Sequence, residues 1–351
     1  MGTFQKTTLF IICLGMLIGS ISAQADDSLQ SVDSLGIQIK PQLKIKSPLI
    51  SGSISAVVPG GGQFYTGRYV KAGAFLALEA ITGLVANYWY KESQVRYDRA
   101  AEFQKEVLIN KYQMKIIEDT LKHIQDRFDD EYELQKDTLY ARLDSLFKGK
   151  LYTLFKEKEI NEEVEALARF DARLARYTMY NALSVMIGGY LYNILDAIDG
   201  THFFDDDKER NPRRAALLSA IPGLGLGQLY NGSLSKAGMI MMTQFSLSVK
   251  VFNEQRLQSI ANDAYHKTLR IKDSADVTFV TDEFGKDWEG RRDTAFKNRN
   301  MFLWYSVFFY FYGIIDAMVD AHLHDYPRKM RTYPDLMPEL QAFRLNFDYF
   351  F

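Results

Sequence analysis

The stretch QFYTGRYVKAG at residues 63–73 occurs again as QLYNGSLSKAG at residues 228–238. Each copy follows a proline and closely spaced glycines, in PGGG at residues 59–62 and in PGLGLG at residues 222–227. A spacing that is kept twice, on either side of a long divergent segment, indicates a chain built from two related units. The repeat predicts an architecture and does not identify a substrate or a reaction.

A second pair of matching blocks follows in the same order. The block YNILDAI at residues 192–198 aligns without a gap with YGIIDAM at residues 312–318, and His202 aligns with His322. The first pair of blocks is offset by 165 residues and the second by 120, so the first copy carries about 45 additional residues between its blocks. We therefore predict a tandem repeat whose middle part varies in length.

The N-terminus has the parts of a secretory signal. Lys6 precedes an apolar run at residues 9–18, which is too short to span a membrane, and small residues follow in SAQA at 22–25. Cleavage after Ala23 or Ala25 would remove Cys13, the only cysteine, so we expect no disulfide or thiolate chemistry in the mature chain. An uncleaved N-terminal anchor is the alternative.

Charge and composition bear on the class of partner. The formal net charge is -2 at pH 7, and acidic and basic residues are mixed along the chain, so we expect no nucleic-acid binding. Aromatic residues make up 14% of the sequence and cluster in FFYFY at residues 308–312. Such clusters are typical of a membrane boundary or of a large helical core.

Four segments are apolar enough to be candidate membrane spans: 72–90, 177–198, 238–252 and 301–319. A span needs about 20 predominantly apolar residues, and the third candidate is short. Polar residues within or near these segments would be costly in lipid unless they pair inside a bundle. They are Glu79, Asn181, Asn193, Asp196, Gln244, Lys250 and Asp316. We predict membrane-embedded helices, with a water-soluble exported helical domain as the alternative.

The polar segments between these candidates predict helical inserts. Residues 91–176 carry apolar residues at three- and four-residue spacing, with a break expected at Gly149, and so predict a helical hairpin. Residues 253–300 predict a shorter insert whose helical pattern ends in a turn-rich part at 273–287. Charged amphipathic helices favour a self-packing, coiled-coil-like hairpin, while binding of a protein partner or self-association through the insert is the alternative.

We use the word knuckle for the turn at each repeated stretch. The predicted knuckle residues are Pro59, Gly60, Gly62, Gln63, Tyr65 and Gly67 in the first copy, and Pro222, Gly223, Gly225, Gln228, Tyr230 and Gly232 in the second. Proline ends a preceding short helix, and glycine permits backbone angles and close contacts that a side chain forbids. Each glutamine is expected to pair with backbone groups that the break leaves open.

The helix after each knuckle has an expected N-cap, Thr66 in the first copy and Asn231 in the second. A phosphate-binding loop is the competing interpretation of the glycines. We disfavour it because no strand precedes the turn and no Gly-Lys-Ser/Thr sequence follows it.

Topology predicts two ion pairs. The helix after each knuckle starts at the knuckle and runs away from it, and the next candidate span runs back. An aspartate near the end of the returning span therefore lies close to the lysine at the start of the first helix. An unpaired charge at that depth is expensive. We predict that Lys71 pairs with Asp196 and Lys236 with Asp316, or that the pairs cross between the two copies.

Two groups of aspartate and histidine have a spacing that suits metal ligands or a proton relay. They are Asp316, Asp320 and His324 in the second copy, and Asp196, Asp199 and His202 in the first. Helix ends rich in these residues are common at membrane boundaries without any metal. We therefore expect a structural role for both groups, with no metal, no cofactor and no catalytic residue.

Alternating apolar residues predict short strands at both ends of the mature chain, at residues 37–45 and 343–351. A terminal aromatic strand is typical of outer-membrane barrels, but a barrel needs at least about eight such segments. We therefore expect short strands and no barrel.

Two motifs carry a resemblance to known families. The second knuckle follows the outline P-G-x-G-Q-x-Y-N-G with a subsequent K-A, and residues 316–323 read DAMVDAHL. Over about residues 213–325 the chain resembles an uncharacterised bacterial membrane-associated domain-of-unknown-function family, and more distantly the two-transmembrane-helix domain. The first copy departs from the pattern, with Thr66 in place of asparagine and DGTH at 199–202 in the closing motif. The resemblance implies an exported or membrane-embedded architecture and no catalytic residue.

These observations predict a mostly all-α fold, a tandem repeat of helical membrane-associated units with an inserted helical hairpin and a short C-terminal strand. The predicted division is a signal peptide at 1–23, an exported segment at 24–46, a first repeat at 47–204, a second repeat at 213–325 and a tail at 326–351.

We interpret the chain as a non-enzymatic, exported protein embedded in the lipid bilayer of the bacterial cell envelope, with the inner membrane favoured. Its predicted role is structural or that of a scaffold. A small transporter or ion-coupled component that uses the intramembrane aspartates and glutamines is the first alternative, and a soluble periplasmic binding module is the second. The orientation in the membrane stays open.

Overall fold

The computed structural model describes residues 46–131, 136–201, 209–274, 278–324, 330–337 and 342–349. The predicted signal peptide, and the strand expected at 37–45, lie outside these residues. Within them the chain is mostly helical, which confirms the all-α class. The helices are α1 (Pro48–Val57), α2 (Gly61–Thr66), α3 (Tyr69–Glu131), α4 (Lys136–Asp199), α5 (Pro212–Ser219), α6 (Leu226–Tyr230), α7 (Leu234–Ser274) and α8 (Thr278–Leu323).

The short helices α1 and α5 precede the two knuckles and begin in similar ways. Both have proline at the start of the first turn, where its missing N–H costs nothing. Asn211 caps α5, and its Oδ1 accepts hydrogen bonds from the N–H groups of Arg213 at 3.0 Å and Arg214 at 3.3 Å. Each helix therefore starts at a position that its sequence defines.

The long helices are more continuous than the sequence predicts. Helix α4 has 64 residues and passes through Gly149, so the break expected there is wrong. One glycine in a helix costs only about 1 kcal/mol relative to alanine, which neighbouring turns readily offset. Helix α8 begins at Thr278, so the turn-rich part expected at 273–287 is wrong from that residue onward.

The chain divides into two compact units. The knuckle-bearing unit comprises Met1–Ala86, Tyr180–Phe252 and Arg299–Phe351. The insert unit comprises Asn87–Met179 and Asn253–Asn298. The insert unit thus contains residues from both of the inserts that the sequence predicts.

Two of the described helices contain stretches that are long and apolar enough to cross a membrane. One such stretch lies in α3, within Tyr69–Ile124, and the other lies in α8, within Glu283–Leu323. The candidate spans at 72–90 and 301–319 fall in these two ranges. In the apolar windows of these helices, only 28% and 17% of the residues are buried. The candidates at 177–198 and 238–252 do not meet the same criterion.

The insert unit has an aromatic core. Its fully packed side chains are Phe170, Leu257, Ala261, Trp288 and Ala295. The Trp288 ring meets the Phe170 ring edge-on, with 5.6 Å between the centroids, and Trp288 Nε1 donates to Glu163 Oε2 at 3.1 Å. Trp288 is therefore the largest fully buried side chain of this core, and its indole N–H has a hydrogen-bond partner.

We expect Trp288→Ala to destabilise the insert unit by about 3–5 kcal/mol, because it leaves a cavity and removes the donor to Glu163. Trp288→Phe is the matched variant. It keeps most of the buried aromatic surface, and its main loss is the hydrogen bond to Glu163. Hydrogen exchange of the full chain measures the effect through protection of amides around Phe170 and Leu257. Unchanged protection in Trp288→Ala would contradict this account of the core.

The described C-terminal residues form two antiparallel strands, β1 (Met330–Met337) and β2 (Ala342–Tyr349). Their register pairs Met330 with Tyr349 at one end and Met337 with Ala342 at the other. This hairpin follows α8 and belongs to the knuckle-bearing unit.

Candidate functional site

The first knuckle is a tight turn between α1 and α2. Gly60 has a φ angle of 81°, and a Cβ atom at this residue would lie 2.3 Å from Ala72 O. A Cβ atom at Gly62 would lie 2.3 Å from Ser51 O and 2.6 Å from Ala197 Cβ. The first position requires glycine for its backbone angle and the second for its close contacts.

Gln63 is fully buried behind this turn, and both ends of its carboxamide are hydrogen-bonded. Its Nε2 donates to Asn193 O at 2.8 Å and to Asp196 Oδ2 at 3.0 Å. Its Oε1 accepts from Ser55 Oγ at 3.1 Å. Gln63 therefore connects α1 and α2 to the end of α4.

Asn193 and Ser51 complete the same connection. Asn193 Oδ1 accepts from the N–H of Gly60 at 3.0 Å, and its Nδ2 donates to Ser55 O at 3.2 Å. Ser51 Oγ donates to Ala197 O at 2.7 Å. Side chains thus satisfy backbone groups that the turn between α1 and α2 leaves open.

Asp196 is the charged centre of the first knuckle and is fully buried. Its carboxylate lies 3.2 Å from Arg68 Nη1 and 3.5 Å from Lys71 Nζ, and it accepts from Ser235 Oγ at 2.6 Å. Arg68 Nη2 also donates to the backbone oxygen of Asp196. A buried carboxylate needs such compensation, because an unpaired one would lose its hydration without replacement.

The second knuckle repeats this arrangement with fewer contacts. Gln228 is fully buried, and its Nε2 donates to Gly313 O at 2.7 Å and to Asp316 Oδ2 at 3.4 Å. Lys236 Nζ lies 3.4 Å from Asp316 Oδ1 and 2.5 Å from Asp320 Oδ2. Burial lowers the pKa of Lys236, but the hydrogen bonds and charges of the two aspartates outweigh it and leave this pKa above its ordinary value.

Two further kinds of hydrogen bond occur once in each knuckle. Lys46 Nζ donates to Tyr65 O at 2.5 Å, and Arg210 Nη1 donates to Tyr230 O at 2.8 Å. In the same way, the hydroxyl of Tyr190 donates to Ala56 O and that of Tyr310 donates to Ala220 O. Tyr190 and Tyr310 keep the offset of 120 residues. Lys46 and Arg210 are 164 residues apart, as are Pro48 and Pro212 at the starts of α1 and α5.

The knuckles are also joined to each other. Asp199 Oδ1 accepts from the N–H of Leu234 at 2.9 Å, and Asp196 accepts from the neighbouring Ser235. Both bonds go to the first turn of α7. The bond to Asp199 satisfies one of the backbone N–H groups that have no partner within the helix. Asp199 of the first copy therefore caps a helix of the second copy, and Asp196 binds the hydroxyl of Ser235 beside it.

The structure brings the predicted lysines and aspartates together within each copy, Lys71 with Asp196 and Lys236 with Asp316. The expected N-caps are wrong. Thr66 ends α2, and its Oγ1 donates to Gly62 O at 3.0 Å, whereas Asn231 follows α6 and its Nδ2 donates to Ala317 O at 2.7 Å. The knuckle forms a short helix of its own, so these side chains face its end and do not start the next helix.

Several residues of the network are not predicted from the sequence as partners of the knuckles. They are Ser51, Ser55, Arg68, Ser235 and Asp320. Arg68 and Ser235 lie inside the repeated stretch but differ between the copies, so the comparison of the two copies does not select them. Asp320 is predicted only as a possible metal or proton-relay ligand. It lies one helical turn after Asp316 on the same face, and this spacing could have predicted that both aspartates bind one lysine.

Neither of the aspartate and histidine groups gathers as a metal site in the part of the chain that the structure describes. Asp316 and Asp320 bind Lys236, and Asp199 accepts the N–H of Leu234. His202 lies outside the described residues. The contacts of these three aspartates pair charges and cap a helix.

Residues 208–346 match a family of unknown function, DUF5683. The match includes the second knuckle and the helices that bind it, and it confirms the resemblance to an uncharacterised domain-of-unknown-function family. No curated protein and no solved structure matches the chain.

Proposed function

We propose that this chain is a duplicated membrane protein of the bacterial cell envelope and that it has a structural, non-enzymatic role. Each knuckle is the joint that holds one repeat together, and helices of the knuckle-bearing unit lie in the lipid bilayer. The observation that carries the proposal is the paired network around Asp196, in which polar atoms of α1, α2, α4 and α7 bind one another.

Corresponding contacts support the duplication. Gly62 packs against Ser51 O and Ala197 Cβ, and Gly227 packs in the same way against Ala215 O and Ala317 Cβ. Gln63 and Gln228 each donate to a backbone oxygen and to an aspartate of the returning helix. Such agreement in detail, at offsets that the sequence keeps, favours one ancestral unit that was copied.

The exposed apolar surface supports a place in the membrane. Leu76 and Leu84 on α3 are exposed, as are Phe308, Phe311 and Ile315 on α8. Large contiguous apolar faces are costly in water and are typical of binding surfaces or of lipid contact. Since the charged groups of the knuckles pair with one another, these groups add little to the cost of placing the unit in lipid.

A structural role is favoured over transport by the state of Asp196. A side chain that binds and releases an ion or a substrate needs access and free coordination positions, whereas Asp196 is fully buried and bonded to four side chains. Asp196→Asn distinguishes the two functions. Loss of folded protein supports the structural role, and normal folding with lost solute uptake supports the transporter.

Alkaline carbonate extraction of cell membranes tests the membrane location. We expect the full chain to stay in the membrane pellet after extraction, because helices in lipid resist alkali that strips peripheral proteins. The control is a soluble exported protein carried in the same cells, which should appear in the supernatant. Release of the full chain with that control would contradict the proposed location.

A further inference from the structure

The second knuckle contains a small cavity that involves Ser219, Gln228, Gln244, Tyr310 and Gly313. The centre of a water-sized sphere has about 10 Å³ of room in this cavity, which is close to the smallest space that holds one water molecule. The cavity lies beside the buried carboxamide of Gln228. The cavity lies between the turn of the second knuckle and helix α8.

Two buried polar atoms at this cavity have no hydrogen-bond partner among the described residues, Gln228 Oε1 and Ser219 Oγ. Gln228 is fully buried, and Ser219 is 7% exposed. A buried polar atom without a partner costs roughly 1–3 kcal/mol. Two such atoms beside one cavity indicate a bound polar molecule.

In the first knuckle, the two atoms that correspond to Ser219 Oγ and Gln228 Oε1 bond to each other directly. There, Ser55 Oγ donates to Gln63 Oε1, and the carboxamide of Asn193 ties the turn to α4 through Gly60 and Ser55. The residue that corresponds to Asn193 in the second copy is Gly313, which has no side chain. The second knuckle therefore has space where the first has an amide.

We propose that a buried water molecule binds in the second knuckle and hydrogen-bonds to both Gln228 Oε1 and Ser219 Oγ. Water can donate to the first atom and can donate to or accept from the second, so it satisfies both. A buried water needs two to four polar partners and about 10–15 Å³ of room for its centre, so this cavity has space for one water molecule and no more. Two neutral oxygens are too few ligands for a calcium or magnesium ion, which takes about six or more.

An experimental structure of the full chain in a lipid nanodisc, at a resolution that shows ordered water, is the direct test. We expect density within hydrogen-bond distance of Gln228 Oε1 and Ser219 Oγ. We expect Gly313→Asn, which fills the adjoining space as Asn193 does in the first knuckle, to displace it. An empty cavity, or a direct hydrogen bond from Ser219 Oγ to Gln228 Oε1, would overturn the proposal.

Unfolding of Ser219→Ala gives a second readout. If Ser219 binds the water, the substitution removes a buried hydrogen bond, and we expect the unfolding equilibrium constant to rise about tenfold. If Ser219 Oγ has no partner, removing it relieves a buried polar group and leaves stability equal or higher. The second result would contradict the proposal even if the Gly313→Asn variant did not fold.

Discussion

Asp196→Ala is expected to cause the largest loss of stability of any single substitution in the knuckles. The change leaves Arg68 and Lys71 without their buried counter-charge and removes an acceptor from Gln63 and Ser235. Breaking a buried ion pair by removing one partner costs about 3–5 kcal/mol. Thermal unfolding of the full chain in mild detergent, followed by circular dichroism, measures this loss.

Asp316→Ala is the matched control for this prediction. Its partner Lys236 is 40% exposed and keeps Asp320 at 2.5 Å, so the loss of Asp316 leaves no buried charge unpaired. We expect a loss of about 1 kcal/mol, as for a partly exposed pair. Equal destabilisation by the two substitutions would contradict the central place of Asp196 in the network.

Gly62→Ala and Gly227→Ala are expected to disrupt the two knuckles by steric overlap. A Cβ atom at Gly62 would meet backbone oxygen at 2.3 Å, and one at Gly227 would meet Ser219 Oγ at 1.9 Å and Ala215 O at 2.5 Å. Neither backbone can move without breaking the hydrogen bonds of the turn. Overpacking of this kind costs about 1–3 kcal/mol or more.

Gly73→Ala is the control for the glycine substitutions. Gly73 lies in α3, and a Cβ atom added there would meet no described atom within 4 Å beyond its own stretch of helix. Alanine at this position therefore raises helix propensity by up to about 1 kcal/mol without a clash. The yield of folded protein and its unfolding temperature compare the three variants. A normal unfolding temperature in Gly62→Ala would show that the turn tolerates a side chain and that its close packing is not essential.

The repeated stretch made part of this site predictable. The glycines and the buried glutamines stand in both copies, and repetition selects residues that a turn requires wherever it occurs. The lysine partners follow from topology, because a charge near the end of one helix needs a neighbour on the next. These inferences need only spacing, and spacing is visible in one sequence.

Other parts were not predictable, for physical reasons. A helix pattern does not show which helices share a core, so the joint packing of both inserts around Trp288 had no sequence signal. Arg68 and Ser235 both bind Asp196, but each is replaced by a different residue in the other copy. A comparison of the two copies therefore cannot identify these contacts. The N-cap prediction was wrong at Thr66, because the sequence does not reveal that the turn itself becomes the helix α2.

The central claim is that the exposed apolar face of the knuckle-bearing unit contacts lipid. Single spin labels at Leu84 and Phe308, which are 70% and 66% exposed, test it in a Cys13→Ser background reconstituted in vesicles. Tyr112 in the insert unit, which is 67% exposed, is the matched control position.

Collision with oxygen, which concentrates in lipid, is compared at each position with collision with a water-soluble nickel chelate. We expect the labels at Leu84 and Phe308 to be more accessible to oxygen and the label at Tyr112 to be more accessible to nickel. Nickel accessibility at Leu84 and Phe308 equal to that at Tyr112 would contradict the membrane location and the function proposed from it.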